Sequence, residues 1–273
     1  MSEVALDFGA VLRSWRQHRR MSQLQLSSHS GISQRHISFL ETGRSQPSRG
    51  MVIALSESLE VPLRERNALL QSAGFRAAYA EQGLDDQAVS LFREALQATL
   101  DHHEPYPAMV LDGRWNMAMA NQAALNFFSL FVDPFEALAR MGSPTEFQVI
   151  RLCMSDEGLK PYIRNWQELV VTFLQRARKA LIVNPNDALL PILIQEILQH
   201  PDAADHWRQP TWTAPPAPVV NMLMEKDGRQ LALFTMLAHF GAAQHVTIEE
   251  LSVETFYPAD DTTKRLLIEL ANA

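Results

Sequence analysis

A chain of 273 residues, 47% of them hydrophobic and 20% charged, carries enough apolar material for two ordinary domains. Its one cysteine, Cys153, excludes an internal disulfide and points to a reducing, cytoplasmic setting, and no apolar stretch is long enough to span a bilayer. The net charge of -7 conceals an asymmetry: residues 1–80 hold ten Arg and no Lys against six acidic residues, a balance of +4, and the remainder stands at -11. A basic block on an acidic body predicts one domain that binds a polyanion and another with a different task. Using arginine alone there favours forked contacts to phosphate or guanine over point charges. The opening MSEVALDFGAVLRSW lacks the basic start and apolar run of a secretory signal.

Phe8, Val11, Leu12 and Trp15 recur at helical spacing, with Arg13, Arg16, Arg19 and Arg20 around the other face and the end. Ser22 is an N-cap for a second helix running to about His29, Gly31 supplies a sharp turn, and Ser33 caps a third. In that third helix Ile37 and Leu40 point inward, whereas Gln34, Arg35, Ser38 and Phe39 lie outward. Gly43 suits the left-handed position after a helix end. Pro47–Ser48 starts a fourth helix, and "VPLRERNALLQSAG" gives a turn, a fifth helix and a stop at Gly74.

Two short helices joined by a tight glycine turn, the second exposing amide and guanidinium groups, form a helix-turn-helix. Arg can fork onto guanine O6 and N7, Gln onto adenine N6 and N7, and an apolar edge can meet a thymine methyl. Ser22 and Gln23, at a helix start, are placed to hold phosphate.

Residues 8–75 resemble the Xre-type, phage-repressor-like helix-turn-helix through "MSQLQLSSHSGISQRHISFLETGRSQPS". By position, the resemblance puts base readers at Gln34, Arg35 and the Ser38–Phe39 pair. It puts phosphate contacts at Gln23 and in the loop after Gly43, with Arg44, Ser48 and Arg49 beside Ser33 as further interface residues. His36 and Phe39 stand where many relatives carry polar residues. The bland alternative for each of these side chains is a solvated helix face.

The polar segment 77–90 reads as a linker between a domain at 1–76 and another at 91–273. A helix follows, ending near "DHHEP". Asp112–Gly113 is a two-residue hairpin signal between short apolar runs, and Asn121 then caps a helix carrying Phe128. Residues 134–200 are mostly helical, interrupted by "MGSPTEF", "SDEGLKP" and "VNPND". Residues 201–218, with five prolines, read as loop. Two strands around Asp227–Gly228 and a last strand in "ELSVETFYP" follow. The order predicts an α+β domain, an antiparallel sheet with helices on one face.

The hairpin followed by an Asn-capped helix, together with the late strands, resembles a PAS-type sensor. The whole chain resembles the MmyB-like transcription regulators in "RHISFLETGRSQPSRG", "VPLRERNALLQSAGF", "PYPAMVLDGRWNMAMAN", "IRNW" and "ETFYPAD". "VIRLCMSDEG" departs from that pattern, where relatives more often carry a longer leucine-rich run.

The resemblance implies a DNA-binding regulator whose PAS-like domain holds a small apolar molecule, with a fatty-acyl compound as the leading candidate; because one recognition helix covers only a half-site, a homodimer on a two-fold operator is expected. Met109, Met117, Met119, Met222, Met224 and Met236 fall on strands flanking the helical layer, and thioethers suit adaptable apolar cavities. Phe128 and Trp166 join them as candidate wall, and Arg151 or Arg178 could meet an acid head group. Plain core packing and surface salt bridges are the rival readings.

An enzyme is the weaker alternative. The adjacent His102 and His103 diverge on a helix, and HExxH, CxxC, GxSxG and glycine-rich phosphate loops are missing. A constitutive repressor or antitoxin-like protein, with a C-terminal domain serving only dimerisation, is the other.

Overall fold

The computed structural model describes residues 7–140, 142, 147–202, 222–241 and 243–271. From residue 203 onward the proline-rich stretch lies outside them, as does most of "MGSPTEF". The chain divides into two compact units, the first holding the described residues through Gln82 with Val183–Pro185 and the segment up to Glu249. No helix among the described residues is long and apolar enough to cross a membrane.

The first unit is built from α1 (Phe8–His18), α2 (Gln23–Ser30), α3 (Gln34–Glu41), α4 (Arg49–Ser58) and α5 (Leu63–Ser72). Leu12, Trp15, Leu26, Ile37, Leu40 and Leu55 are all but fully buried in its core. Side chains do the capping: Ser22 and Gln25 form a reciprocal capping box at α2, and Ser33 and Ser48 accept from His36 N and Met51 N. Gly31 takes φ 71° between α2 and α3, a conformation that a side chain resists. At Gly9, a Cβ would meet the Leu40 carbonyl oxygen at 2.5 Å, so α1 can approach the end of α3 only without one.

An ion pair ties α1 to α3. Arg16 Nε donates to Glu41 Oε1 at 2.5 Å and Arg16 Nη2 to Oε2 at 2.9 Å, while Gln23 Nε2 donates to Oε2 at 3.0 Å. Burial opposes the Glu41 charge, but the hydrogen bonds from Arg16 and Gln23, with the positive charges of Arg16 and Arg13, outweigh it and hold the carboxyl below its ordinary range. The segment after α5 is strapped down: Asn67 Oδ1 accepts from Ala78 N and Tyr79 N, and its Nδ2 donates to the Tyr79 carbonyl. The first part of the expected linker is therefore fastened to α5.

The second unit takes α6 (Ser90–His102), β1 (Ala108–Leu111), β2 (Met117–Ala120), α7 (Gln122–Phe131), α8 (Pro134–Arg140), α9 (Val149–Met154), α10 (Trp166–Val183, its last residue apart), α11 (Leu190–Gln199), β3 (Met222–Lys226), β4 (Arg229–His239), β5 (Ser252–Pro258) and α13 (Asp261–Ala271). The short α12 (Val246–Glu250) precedes β5. The five strands form one antiparallel sheet in the order β2-β1-β5-β4-β3. The fold is thus an all-α helix-turn-helix unit and an α+β unit.

Alternation along the strands decides what each face carries. Met109 and Leu111 join the large core with Phe127, Phe128 and Phe256, whereas Ala108 and Val110 pack with Leu96 and Leu100 of α6. The main helical layer therefore covers one face, and α6 additionally covers the other at β1. Asn121 fastens this corner: its Oδ1 accepts from Ala108 N and Ala124 N, and its Nδ2 donates to the Leu100 and Tyr106 carbonyls. Asp227–Gly228 makes the expected two-residue turn, with φ 51° and 74°. Asp112–Gly113 does not. There the connection runs to Asn116, Asp112 Oδ1 accepts from Arg114 N and Asn116 N, and the left-handed residue is Trp115.

Glu41→Ala leaves Arg16 buried without its carboxylate and is expected to cost about 3–5 kcal/mol, read as lost hydrogen-exchange protection in α1 and α3. Because folding depresses the Glu41 pKa, the pair's contribution is complete above the ordinary value of 4.5 and is lost as pH falls through the lower folded value. Protection in α1 and α3 that is unchanged by the substitution at pH 7 would remove this role.

Candidate functional site

The first site is the outer face of α3. Gln34 and Arg35 are exposed, and Ser38 and Phe39 half-buried. The Arg35 guanidinium carbon stands 5.3 Å from the Phe39 ring centroid, one helical turn on, so the ring supports the arginine at the surface. Ser22, Ser33, Arg44, Ser48 and Arg49 are exposed around the helix ends. Two residues behave differently from a freely presented interface side chain. Gln23 commits its amide nitrogen to Glu41. His36 turns Nε2 into the protein, where it is buried without a hydrogen-bond partner.

The second site lies in the other unit, between the sheet and α10. A cavity of about 60 Å³ is bounded by Met109, Phe127, Phe128, Met222, Leu233 and Phe256 on its apolar side. That space is large enough for several waters, since one needs roughly 10–15 Å³. Its other side is Arg176, Glu254, Thr235 and Thr172. α10 contributes Leu169, Thr172, Phe173 and Arg176, the i, i+3, i+4, i+7 stripe of one helix face. Arg176 Nη1 donates to Glu254 Oε1 at 3.0 Å and Nη2 to Thr235 Oγ1 at 3.2 Å. The Glu254 side chain is 8% exposed and that of Arg176 28%.

Cys153 also lines this space. Burial first, and then the negative charge of Glu254, push its thiol up to about 12. The Glu254 charge is therefore felt at Cys153, another residue of the same wall. Trp166 Nε1 donates to the Cys153 carbonyl at 2.9 Å, which fixes the strand-like exit of α9 from behind the wall.

Of the residues singled out from the sequence, Met109, Met222 and Phe128 line the cavity. Met224 is buried in the same core, and Met117 packs against it. Met119 packs on the opposite face with the α6 cluster. Met236 is 58% exposed, because it follows Thr235 by one position and so points to the far side of the sheet. Trp166 supports the wall without lining it. Arg151 is on the surface, where it donates to Glu196 at 3.0 Å beside a separate cleft of about 220 Å³. Arg178 is likewise absent from the cavity wall.

Sequence reasoning missed Arg176, Thr235 and Glu254. For the two strand residues a signal was there: Glu254 sits two before Phe256, and Thr235 two after Leu233, so a polar residue stands beside an apolar one on the same strand face.

Two families match this chain. The helix-turn-helix family covers residues 12–66, and the family described as the MmyB-like transcription regulator ligand binding domain covers residues 92–270. No curated protein matches it.

A thiol with a pKa of about 12 and 4% exposure holds almost no thiolate at pH 8. Cys153 should therefore resist dithionitrobenzoate in the folded protein and react fully in guanidinium. Stoichiometric reaction within minutes under native conditions would contradict the described packing.

Proposed function

Because this chain belongs to the MmyB-like transcription regulators, and so joins a DNA-binding helix-turn-helix to a ligand-binding domain, we propose that α3 reads operator bases and that the cavity beside α10 receives the effector. The observation that carries the DNA reading is the exposed Gln34–Arg35 pair, with Arg35 steadied on Phe39. These are the side chains whose forks match adenine and guanine edges. Ser38 and Phe39 supply a hydroxyl and an apolar edge beside them. Ser22, Ser33, Arg44, Ser48 and Arg49 flank the helix and hold phosphate, fixing register without reading sequence. His36 acts inside the domain, and Gln23 acts mainly by orienting Glu41. One such helix covers a half-site, so the working species is a homodimer on a two-fold operator in the cytoplasm.

The effector is a small apolar molecule, with an acyl-like chain laid along Met109, Phe128, Met222 and Phe256. The cavity is smaller than ordinary ligand pockets of several hundred Å³, so occupancy requires Met109 and Met222 to move aside. Unbranched thioether side chains do this at low cost. The modest volume is also the one observation that favours the second reading, a constitutive repressor or antitoxin-like protein whose C-terminal domain serves only dimerisation. No catalytic role is assigned to the chain, and no cofactor beyond the effector is required.

Selection of duplexes from a random library should yield an enriched site. Against that site Arg35→Ala should lose about 1–3 kcal/mol and relax preference at one base pair. An equal loss on every sequence would move Arg35 to the phosphate backbone. Affinity should also fall steeply with salt, as counterions displaced by the arginines return. Affinity that does not vary with salt would contradict an arginine-led interface.

A further inference from the structure

The cavity's polar wall carries a charge arrangement with a consequence for what can bind. Among the described residues lining it, Arg176 and Glu254 are the only charged ones, and they are already paired. The guanidinium donates one N–H from each terminal nitrogen, to Glu254 Oε1 and Thr235 Oγ1, and its charge is answered by Glu254. An arriving carboxylate would therefore meet no unanswered cation. It would meet the Glu254 carboxylate at close range in an apolar surround, where like charges repel with little screening.

Glu254 offers the opposite opportunity. A carboxylate has about four lone-pair sites, and a single side-chain donor, Arg176, is fixed on it here. Its register neighbours are Met109 on β1 and Leu237 on β4, neither of which brings a side-chain donor. Thr172, across the cavity on α10, turns its hydroxyl to the Glu168 carbonyl. Glu254 thus keeps lone-pair sites free for a donor from the cavity.

Resting on the reading of the cavity as the effector site, the geometry points to Glu254 as its specificity residue: it selects an apolar chain ending in a neutral, hydrogen-bond-donating head, an alcohol or primary amide, and rejects the chain-matched fatty-acid anion. Arg176 acts as the positioning residue that holds Glu254 in place at the cavity wall. The chain's apolar part gains the same burial in either case, so the discrimination resides in the head group alone.

Calorimetric titration of the full chain at pH 7.5 with octanol, octanamide and octanoate tests this. Octanol and octanamide should bind at least about tenfold tighter than octanoate, because like-charge juxtaposition is costly. In Glu254→Gln, which keeps shape and removes the charge, octanoate should gain about tenfold or more as Arg176 becomes available to it. Wild-type octanoate binding as tight as octanol would overturn the assignment while leaving the effector site standing. So would an unchanged preference in a folded Glu254→Gln variant. Failure of all three to bind would overturn the effector site and this assignment with it. Should the variant not fold, the wild-type comparison decides alone.

Discussion

The register of β5 is the constraint on which the ligand-binding half depends. Period-two alternation sends Glu254 and Phe256 to the face that α10 covers, while Val253 and Thr255 go to the other. A carboxylate in that position is tolerable only because Arg176 answers it from the i+7 position of the helical stripe that also carries Leu169 and Phe173. Slip the strand by one residue and the face loses Phe256 from the core and Glu254 from the cavity together. Pairing with β1 on one side and β4 on the other pins that register over four and seven residue pairs.

The DNA-binding half uses a charge pair differently. Arg16 and Glu41 lie between helices and present nothing to a partner. Their work is to fix α3 against α1, with Gln23 drawn in from α2. Gly9 lets the backbones meet, and Gly31 turns the chain between α2 and α3. With α3 held rigidly by its inner face, the outer Gln34, Arg35 and Phe39 can form a preset surface, so that little ordering remains to be done on binding. One pair lies sealed between helices; the other borders the cavity.

Much of this was legible in the sequence. Helix spacing and cap residues gave the five N-terminal helices, since Ser22, Ser33 and Ser48 cap by side-chain chemistry that depends only on local order. The strands and the Asp227–Gly228 turn followed from alternation in the same way. What failed depended on register or on distant partners. Asp112 was read as half of a two-residue turn, but its carboxylate gathers two backbone amides beyond Gly113 and extends the loop to Asn116. Six methionines looked equivalent, yet a single-residue offset sends Met236 outward while Met222 lines the cavity. Arg151 and Arg178 were the cations named for a head group. The arginine that lines the cavity is Arg176, because helix phase sets it beside Glu254, a residue 78 positions away, which no local pattern reveals.

Regulation by a ligand requires the cavity and the DNA surface to share free energy, and sharing must be reciprocal. The most direct measurement is the dissociation constant of octanol from the full chain, taken with and without a saturating selected operator, beside the operator's constant with and without octanol. The account predicts that both constants shift, and by the same factor. Octanol binding that is identical on free and operator-bound protein, with operator affinity equally untouched, would contradict it.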